Sequence, residues 1–295
     1  MRAELLLLCL RYLKRRHARN AIALPAVRRR LKLIERIVPF PPAGTRTEPI
    51  DAAGINALHI AVPQSRTDHC LLYFHGGGYV VGTASLYRDF LWRIAASARA
   101  CVLYFDYRLA PEHPFPAAVD DSLRAYRWLA DRLDHRRIAF VGDSAGGGLA
   151  LATAHKLRDQ GLALPGAVVA LSPWTDLALT GSSLHANAVA DPMMNASGLP
   201  SLVDHYLAGA DPRHPYASPL YGDASGLPPA LIQVGSDEIL RDDAVRMAEK
   251  LNAAGCDAEI EVWPRMPHTW QLYARIIPEG RDAIARIGAF LHRKL

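Results

Sequence analysis

Gly142-Asp143-Ser144-Ala145-Gly146-Gly147 follows directly on the apolar run 138–141. A Ser with Gly two residues to either side, set between a strand and a helix, has the pattern of a nucleophile elbow. Strand and helix meet so closely there that only Gly is tolerated, and the turn lifts Oγ off the sheet edge to where a base can reach it. A second apolar run, 70–74, leads into His75-Gly76-Gly77-Gly78. Glycines at a strand end expose backbone N–H groups, and those of Gly76 and Gly77, with that of Ala145, could hold a developing oxyanion.

An acid and then a base are expected downstream of the nucleophile. The run 230–234 ends in Gly235-Ser236-Asp237-Glu238, and the run 258–263 leads into Pro264-Arg265-Met266-Pro267-His268. Of twelve histidines only His268 and His292 follow Asp237, and His292 falls in a C-terminal helical stretch. His268 is the expected base. Asp237, just past a strand end, is the expected acid, in competition with Glu238, Asp242 and Asp243. The last two suit the start of the next helix, where the dipole favours negative charge. His17, His135, His155 and His214 read as surface or core residues.

The elements that must carry these residues are legible as well. Strands are expected near 48–62 (a hairpin), 69–74, 101–106, 137–141, 166–171, 230–234 and 257–263. Helices are expected near 85–99, 117–132, 145–160, 241–254 and 281–293. Apolar strand runs alternating with amphipathic helices imply an α/β fold with a mostly parallel sheet covered on both faces. The chain's 295 residues, half of them hydrophobic, suit one such domain. Cys9, Cys70, Cys101 and Cys256 are dispersed, and they read as core thiols of a protein in a reducing, cytoplasmic compartment.

Together the four motif segments, with Tyr107-Arg108-Leu109-Ala110-Pro111-Glu112-His113-Pro114-Phe115-Pro116-Ala117-Ala118 between them, resemble the hormone-sensitive-lipase-like branch of the α/β-hydrolases, the small bacterial carboxylesterases. The resemblance spans about residues 70 to 270. It implies an α/β-hydrolase fold with a central sheet of about eight strands and a helical cap. The catalytic domain would be 46–180 and 218–295, with cap pieces at 1–45 and 181–217. It further implies hydrolysis of short- to medium-chain acyl esters by Ser144, Asp237 and His268, with no cofactor and no metal. A lactone, an acetylated metabolite or a membrane-presented lipid could be the substrate of the same chemistry; a non-catalytic ligand receptor is the remote alternative. Where many relatives carry Asn after the second elbow glycine, this chain has Gly148. In the second cap piece Ser197 is the expected N-cap of a helix ending near Ala208. Met193, Met194, Leu202 and Tyr206, with Trp174 and Tyr79, could line the substrate pocket, although Met and aromatic residues at helical spacing are also ordinary core.

Charge divides the chain. Residues 1–40 hold eleven Lys/Arg (Arg2, Arg11, Lys14, Arg15, Arg16, Arg19, Arg28, Arg29, Arg30, Lys32, Arg36) against Glu4 and Glu35, a net +9. The overall +5 therefore belongs to this segment, and the remainder is acidic at −4. Leu5 to Leu10 is too short for a signal peptide or a membrane span. Val27, Leu31, Ile34 and Val38 recur at helical spacing, which implies an amphipathic helix. Its apolar face would pack on the domain, and a peripheral lipid contact through residues 1–40 and a homodimer stay open. Charge confined to one segment with no accompanying motif argues against nucleic-acid binding.

Overall fold

The computed structural model describes residues 2–17 and 24–295. Arg19, and the side chains of Arg15, Arg16 and His17, lie outside that description. Two helices, α1 (Arg2–His17) and α2 (Leu24–Ile34), precede the sheet. Then come β1 (Arg46–Asp51), β2 (Asn56–Ala61), β3 (Arg66–Phe74), α3 (Ala84–Ala98), β4 (Ala100–Phe105), α4 (Ala117–Ala130), β5 (Ile138–Asp143), α5 (Ala145–Asp159) and β6 (Ala167–Leu171). The chain continues through α6 (Ser183–Ala186), α7 (Leu199–Leu207), β7 (Ala230–Gly235), α8 (Arg241–Ala253), β8 (Ala258–Trp263) and α9 (Pro278–Lys294).

The eight strands form one sheet in the order β1-β2-β4-β3-β5-β6-β7-β8. β1, β2 and β4 pair antiparallel, and from β4 to β8 every neighbour is parallel. The central strands carry unbroken apolar runs, 70–74 in β3, 138–141 in β5 and 167–171 in β6, because both faces are covered. Cys70, Leu72, Phe74, Phe140 and Val168 pack against α4, α5 and α8, whereas Leu71, Tyr73, Val141 and Val169 pack against α3 and α9. β8 instead alternates Glu259 and Glu261 with apolar residues, as an edge strand does. The expected strands and helices thus appear with small shifts at their ends. Cys70 and Cys101 are buried thiols and Cys256 half-buried, but Cys9 is exposed on α1, so the core reading fails for that one.

One consequence of this topology matters for chemistry. Parallel strands deliver their C-terminal ends to the same edge, and loops leaving β3, β5, β6, β7 and β8 converge there. Those loops carry His75–Gly78, Ser144, Ser172–Trp174, Glu238 and His268 respectively.

Candidate active site

Ser144 joins β5 to α5 at φ 55°, ψ −124°, a conformation sparsely populated for any residue with a Cβ. The turn is pinned from three sides. Ser144 N–H donates to Leu171 O at 2.8 Å, and its carbonyl accepts from Trp174 N–H at 2.9 Å and Gly148 N–H at 3.2 Å. Gly146 is required because a Cβ there would collide with the Phe74 carbonyl of the neighbouring strand. At Gly148 a Cβ would meet the Trp174 carbonyl, so the loop after β6 closes onto the elbow through the absence of a side chain there.

His268 Nε2 lies 2.9 Å from Ser144 Oγ, and His268 Nδ1 lies 2.7 Å from Glu238 Oε2. A carboxylate only accepts, so Nδ1–H donates to Glu238, and Nε2 is left to accept the Ser144 hydroxyl proton. Serine, histidine and acid are all buried, Glu238 completely. The acid beside His268 is therefore Glu238, and the expectation for Asp237 is corrected. Asp237 is half-buried and accepts from the Ser236 hydroxyl at 2.7 Å, whereas both ring nitrogens of His268 are taken by Ser144 and Glu238. Past the end of β7 the turn brings residue 238 inward, where Gly235 N–H (2.6 Å) and Ser172 Oγ–H (2.7 Å) hold its other oxygen, Oε1. Asp242 and Asp243 fall in the first turn of α8, as expected.

Burial lowers the pKa of His268. The Glu238 hydrogen bond and charge, joined by the charges of Asp191 and Asp143, outweigh this and leave it raised above its ordinary 6.5. A base with a raised pKa is lost to protonation at a higher pH. The acid limb of kcat/KM is therefore expected to have its midpoint above 6.5, measured with an uncharged ester. A midpoint below that value would contradict the assignment of His268 as base.

The glycine loop is organised by a residue that motif reading passed over. Asp143 Oδ1 accepts from Tyr73 OH (2.7 Å) and Gly76 N–H (2.9 Å), and Oδ2 accepts from Tyr87 OH (3.2 Å). Burial pushes this carboxyl up, and those bonds and the His268 charge oppose the shift. The N–H of Gly76 is thereby committed and is not free for an oxyanion, which corrects that expectation. The N–H groups of Gly77, Gly78 and Ala145 have no acceptor among the described residues. Gly77 (φ 112°) and Gly78 (φ 62°) adopt backbone angles that suit glycine. His75 donates from Nδ1 to Gly76 O at 2.7 Å, stacks on Tyr107 at 4.1 Å and is held neutral by burial, its pKa lowered to about 4.

Tyr79, Trp174 and Tyr206 form one buried aromatic group beside the elbow. Tyr79 stacks on Tyr206 at 3.7 Å, with Trp174 6.4 Å from Tyr79. Leu202 of α7 packs over Gly78. Met193 and Met194 are half-buried further along, with Met193 Sδ accepting from Tyr273 OH at 3.7 Å. Ser197 is not the N-cap: Asn195 caps this stretch by accepting from Ser197 N–H, and α7 starts at Leu199. A groove of about 430 Å³ between α2 and residues 81–86, lined by Leu31, Val81 and Leu86, does not include Ser144 or His268. No group of three or more His, Cys, Asp or Glu among the described residues is placed to hold a metal ion.

Residues 71–272 match a family model described as alpha/beta hydrolase fold. Among curated relatives, an acetyl-hydrolase of Streptomyces hygroscopicus is 45% identical over 230 residues, 78% of this chain and 77% of that one. An esterase of Acinetobacter venetianus is 34% identical, over 90% of this chain and 88% of its own. Among solved structures, an esterase from the bacterial hormone-sensitive lipase family superposes with a TM-score of 0.94 at 45% identity, covering 99% of this chain and 98% of that one.

Proposed function

The chain belongs to the α/β-hydrolase family, among its hormone-sensitive-lipase-like esterases, and from that premise we propose that it hydrolyses carboxylic esters by acyl transfer through Ser144, His268 and Glu238. The observation that carries the assignment of roles is the unbroken pair of hydrogen bonds, Ser144 to His268 at 2.9 Å and His268 to Glu238 at 2.7 Å. His268 Nε2 takes the hydroxyl proton as Ser144 Oγ attacks the ester carbonyl. Glu238 fixes the imidazole tautomer and stabilises the imidazolium. The carbonyl oxygen, now anionic, is received by the free N–H groups of Gly77, Gly78 and Ala145. His268 returns the proton to the leaving alcohol, and a water activated by the same imidazole releases the acid. None of these steps calls on a cofactor.

Residues 1–45 and 181–217 are read as a cap over the catalytic domain. Lys14 of α1 donates to Ala188 O (2.8 Å) and Asp191 O (2.7 Å), and Arg28 of α2 donates to Val80 O (3.0 Å) and Ala110 O (2.9 Å). Tyr79, Trp174 and Tyr206 close the space beside the elbow, which favours a short acyl group; Leu202, Met193 and Met194 would line its outer part. The likeness to an acetyl-hydrolase points the same way, toward release of acetyl from a small molecule. A panel of p-nitrophenyl esters should give the highest kcat/KM at acetate to hexanoate and a steep fall beyond. Preference for long emulsified chains would refute the short-acyl reading. Four free thiols fit reaction in a reducing compartment, the cytoplasm.

A peripheral lipid contact is proposed for the N-terminal helices. No helix among the described residues is long and apolar enough to cross a membrane. Yet Leu5, Leu8 and Tyr12 of α1 and Leu33 of α2 are at least 60% exposed, as is Ile37 just beyond it, and Arg29, Arg30, Lys32 and Arg36 lie among the last of these. Apolar side chains set among cations suit an anionic interface. The full chain should sediment with phosphatidylserine vesicles and not with phosphatidylcholine ones, and Leu8→Glu with Ile37→Glu should abolish the difference. Equal sedimentation with both lipids would dismiss the contact.

A further inference from the structure

The segment after α6 reaches the catalytic centre without touching the reacting atoms. Asn187 Nδ2 donates to the main-chain carbonyls of Ser236 (3.0 Å) and Glu238 (2.8 Å). Four residues on, Asp191 is fully buried. Its Oδ2 accepts from Ile239 N–H at 2.9 Å, and its Oδ1 accepts from Met193 and Met194 N–H at 2.8 Å each. Two side chains from one loop thus grip the 236–239 turn on both sides of the residue that meets His268. A carboxylate is costly to bury unless its oxygens are satisfied, and all three of its donors here are backbone N–H groups. Lys14 of α1 fastens the same loop through the carbonyls of Ala188 and Asp191.

We propose that Asn187 and Asp191 are positioning residues for the acyl transfer, a clasp that sets Glu238 against His268 and makes the catalytic triad depend on the seating of residues 187–194. The inference rests on the reading of Glu238 as the triad acid. Glu238 reaches the imidazole from a turn, not from a regular element, and turns need outside partners to hold a position to a fraction of an ångström. The clasp supplies partners for the main chain at 236, 238 and 239, while Ser172 and Gly235 hold the carboxylate itself. A displacement of about 1 Å at such a site typically costs on the order of 10²-fold in rate.

The charge of Asp191 adds a signature that packing alone would not. The carboxylates facing His268 are Glu238 from its turn, Asp143 from the end of β5 and Asp191 from the clasp, and all three raise its pKa. Asp191→Asn keeps the shape, turns an amide NH₂ toward a backbone N–H, and removes one of the three charges.

The full chain should be compared as wild type, Asp191→Asn, Asn187→Ala, Glu238→Ala and the double variant Asp191→Asn/Glu238→Ala, each verified as folded by circular dichroism. Hydrolysis of p-nitrophenyl acetate would be followed from about pH 5 to 9. Asp191→Asn is expected to lower kcat about 10- to 100-fold with KM changed less than about twofold, and to move the acid limb to lower pH. Asn187→Ala should lower kcat without moving the limb, and it keeps the test alive should Asp191→Asn fail to fold. In the double variant the loss should be no greater than in Glu238→Ala alone, because the clasp acts through that residue. An unmoved limb with kcat within about twofold of wild type, or losses that simply multiply in the double variant, would overturn the clasp. Near wild-type turnover by Glu238→Ala would instead overturn the assignment of the acid beneath it.

Discussion

Ser144→Ala is expected to lower kcat toward carboxylic esters by about 10⁶-fold, the scale on which a triad loses its nucleophile. The size follows from the arrangement of the elbow. Ser144 Oγ is the hydroxyl within hydrogen-bonding reach of His268 Nε2, at 2.9 Å. Alanine leaves nothing from which the imidazole can take a proton and nothing to carry the acyl group. The fold should survive, because among the described residues Ser144 Oγ bonds to His268 alone, and Ala keeps the Cβ that the backbone at φ 55° already accommodates. Ser144→Gly should be as inactive and yet melt higher, since relief of a strained conformation is worth about 1–3 kcal/mol. Kinetics and thermal unfolding of both variants check this. Activity in Ser144→Ala above a few per cent, or a Gly variant that melts below the Ala variant, would count against the elbow as described.

The second large effect separates two neighbours in sequence. Glu238→Ala should reduce kcat/KM by about 10³- to 10⁴-fold, and Asp237→Ala by less than about threefold. Glu238 receives the Nδ1–H of His268, so its removal frees the ring to take the wrong tautomer and strips the buried imidazolium of its one hydrogen-bonded carboxylate, leaving the more distant charges of Asp143 and Asp191. The hydrogen bond that the Asp237 carboxylate makes among the described residues is from the Ser236 hydroxyl. Loss of Glu238 should also lower the pKa of His268, because the hydrogen bond to Glu238 and the charge of its carboxylate do most to raise it against burial. Residual activity in Glu238→Ala should therefore keep its acid limb, displaced to lower pH. A collapse of activity in Asp237→Ala with Glu238→Ala unaffected would return the acid to residue 237.

Why one residue of this set was misplaced in the sequence is a matter of where the deciding contacts come from. Ser144 and His268 each stand alone in their segments, so order along the chain suffices to single them out. The runs 70–74 of β3 and 138–141 of β5, and the whole of β6, are apolar without a break, and that pattern alone reports burial on both faces of a parallel sheet. Asp237 and Glu238 differ by one position in a turn, where no period assigns a direction. What selects Glu238 is the donor pair of Gly235 N–H and Ser172 Oγ–H, the latter 66 residues away in sequence. The glycine loop teaches the same lesson. Three identical residues, Gly76, Gly77 and Gly78, are indistinguishable until Asp143 claims the first N–H. Asp143 itself stood inside the elbow motif, but its partners Tyr73 and Tyr87 lie on β3 and α3, and no local spacing announces them. Asn187 and Asp191 belong to a stretch with no periodic pattern at all, and their targets are 48 to 51 residues downstream.

The central claim is that one serine, activated by His268, carries the acyl group. It is tested most directly by stoichiometric reaction with an organophosphate, read by intact mass and peptide mapping. One adduct per chain is expected, on Ser144, with esterase activity lost in proportion to labelling and no adduct on Ser144→Ala. Full labelling of another residue, or undiminished ester turnover by a chain labelled at Ser144, would contradict it.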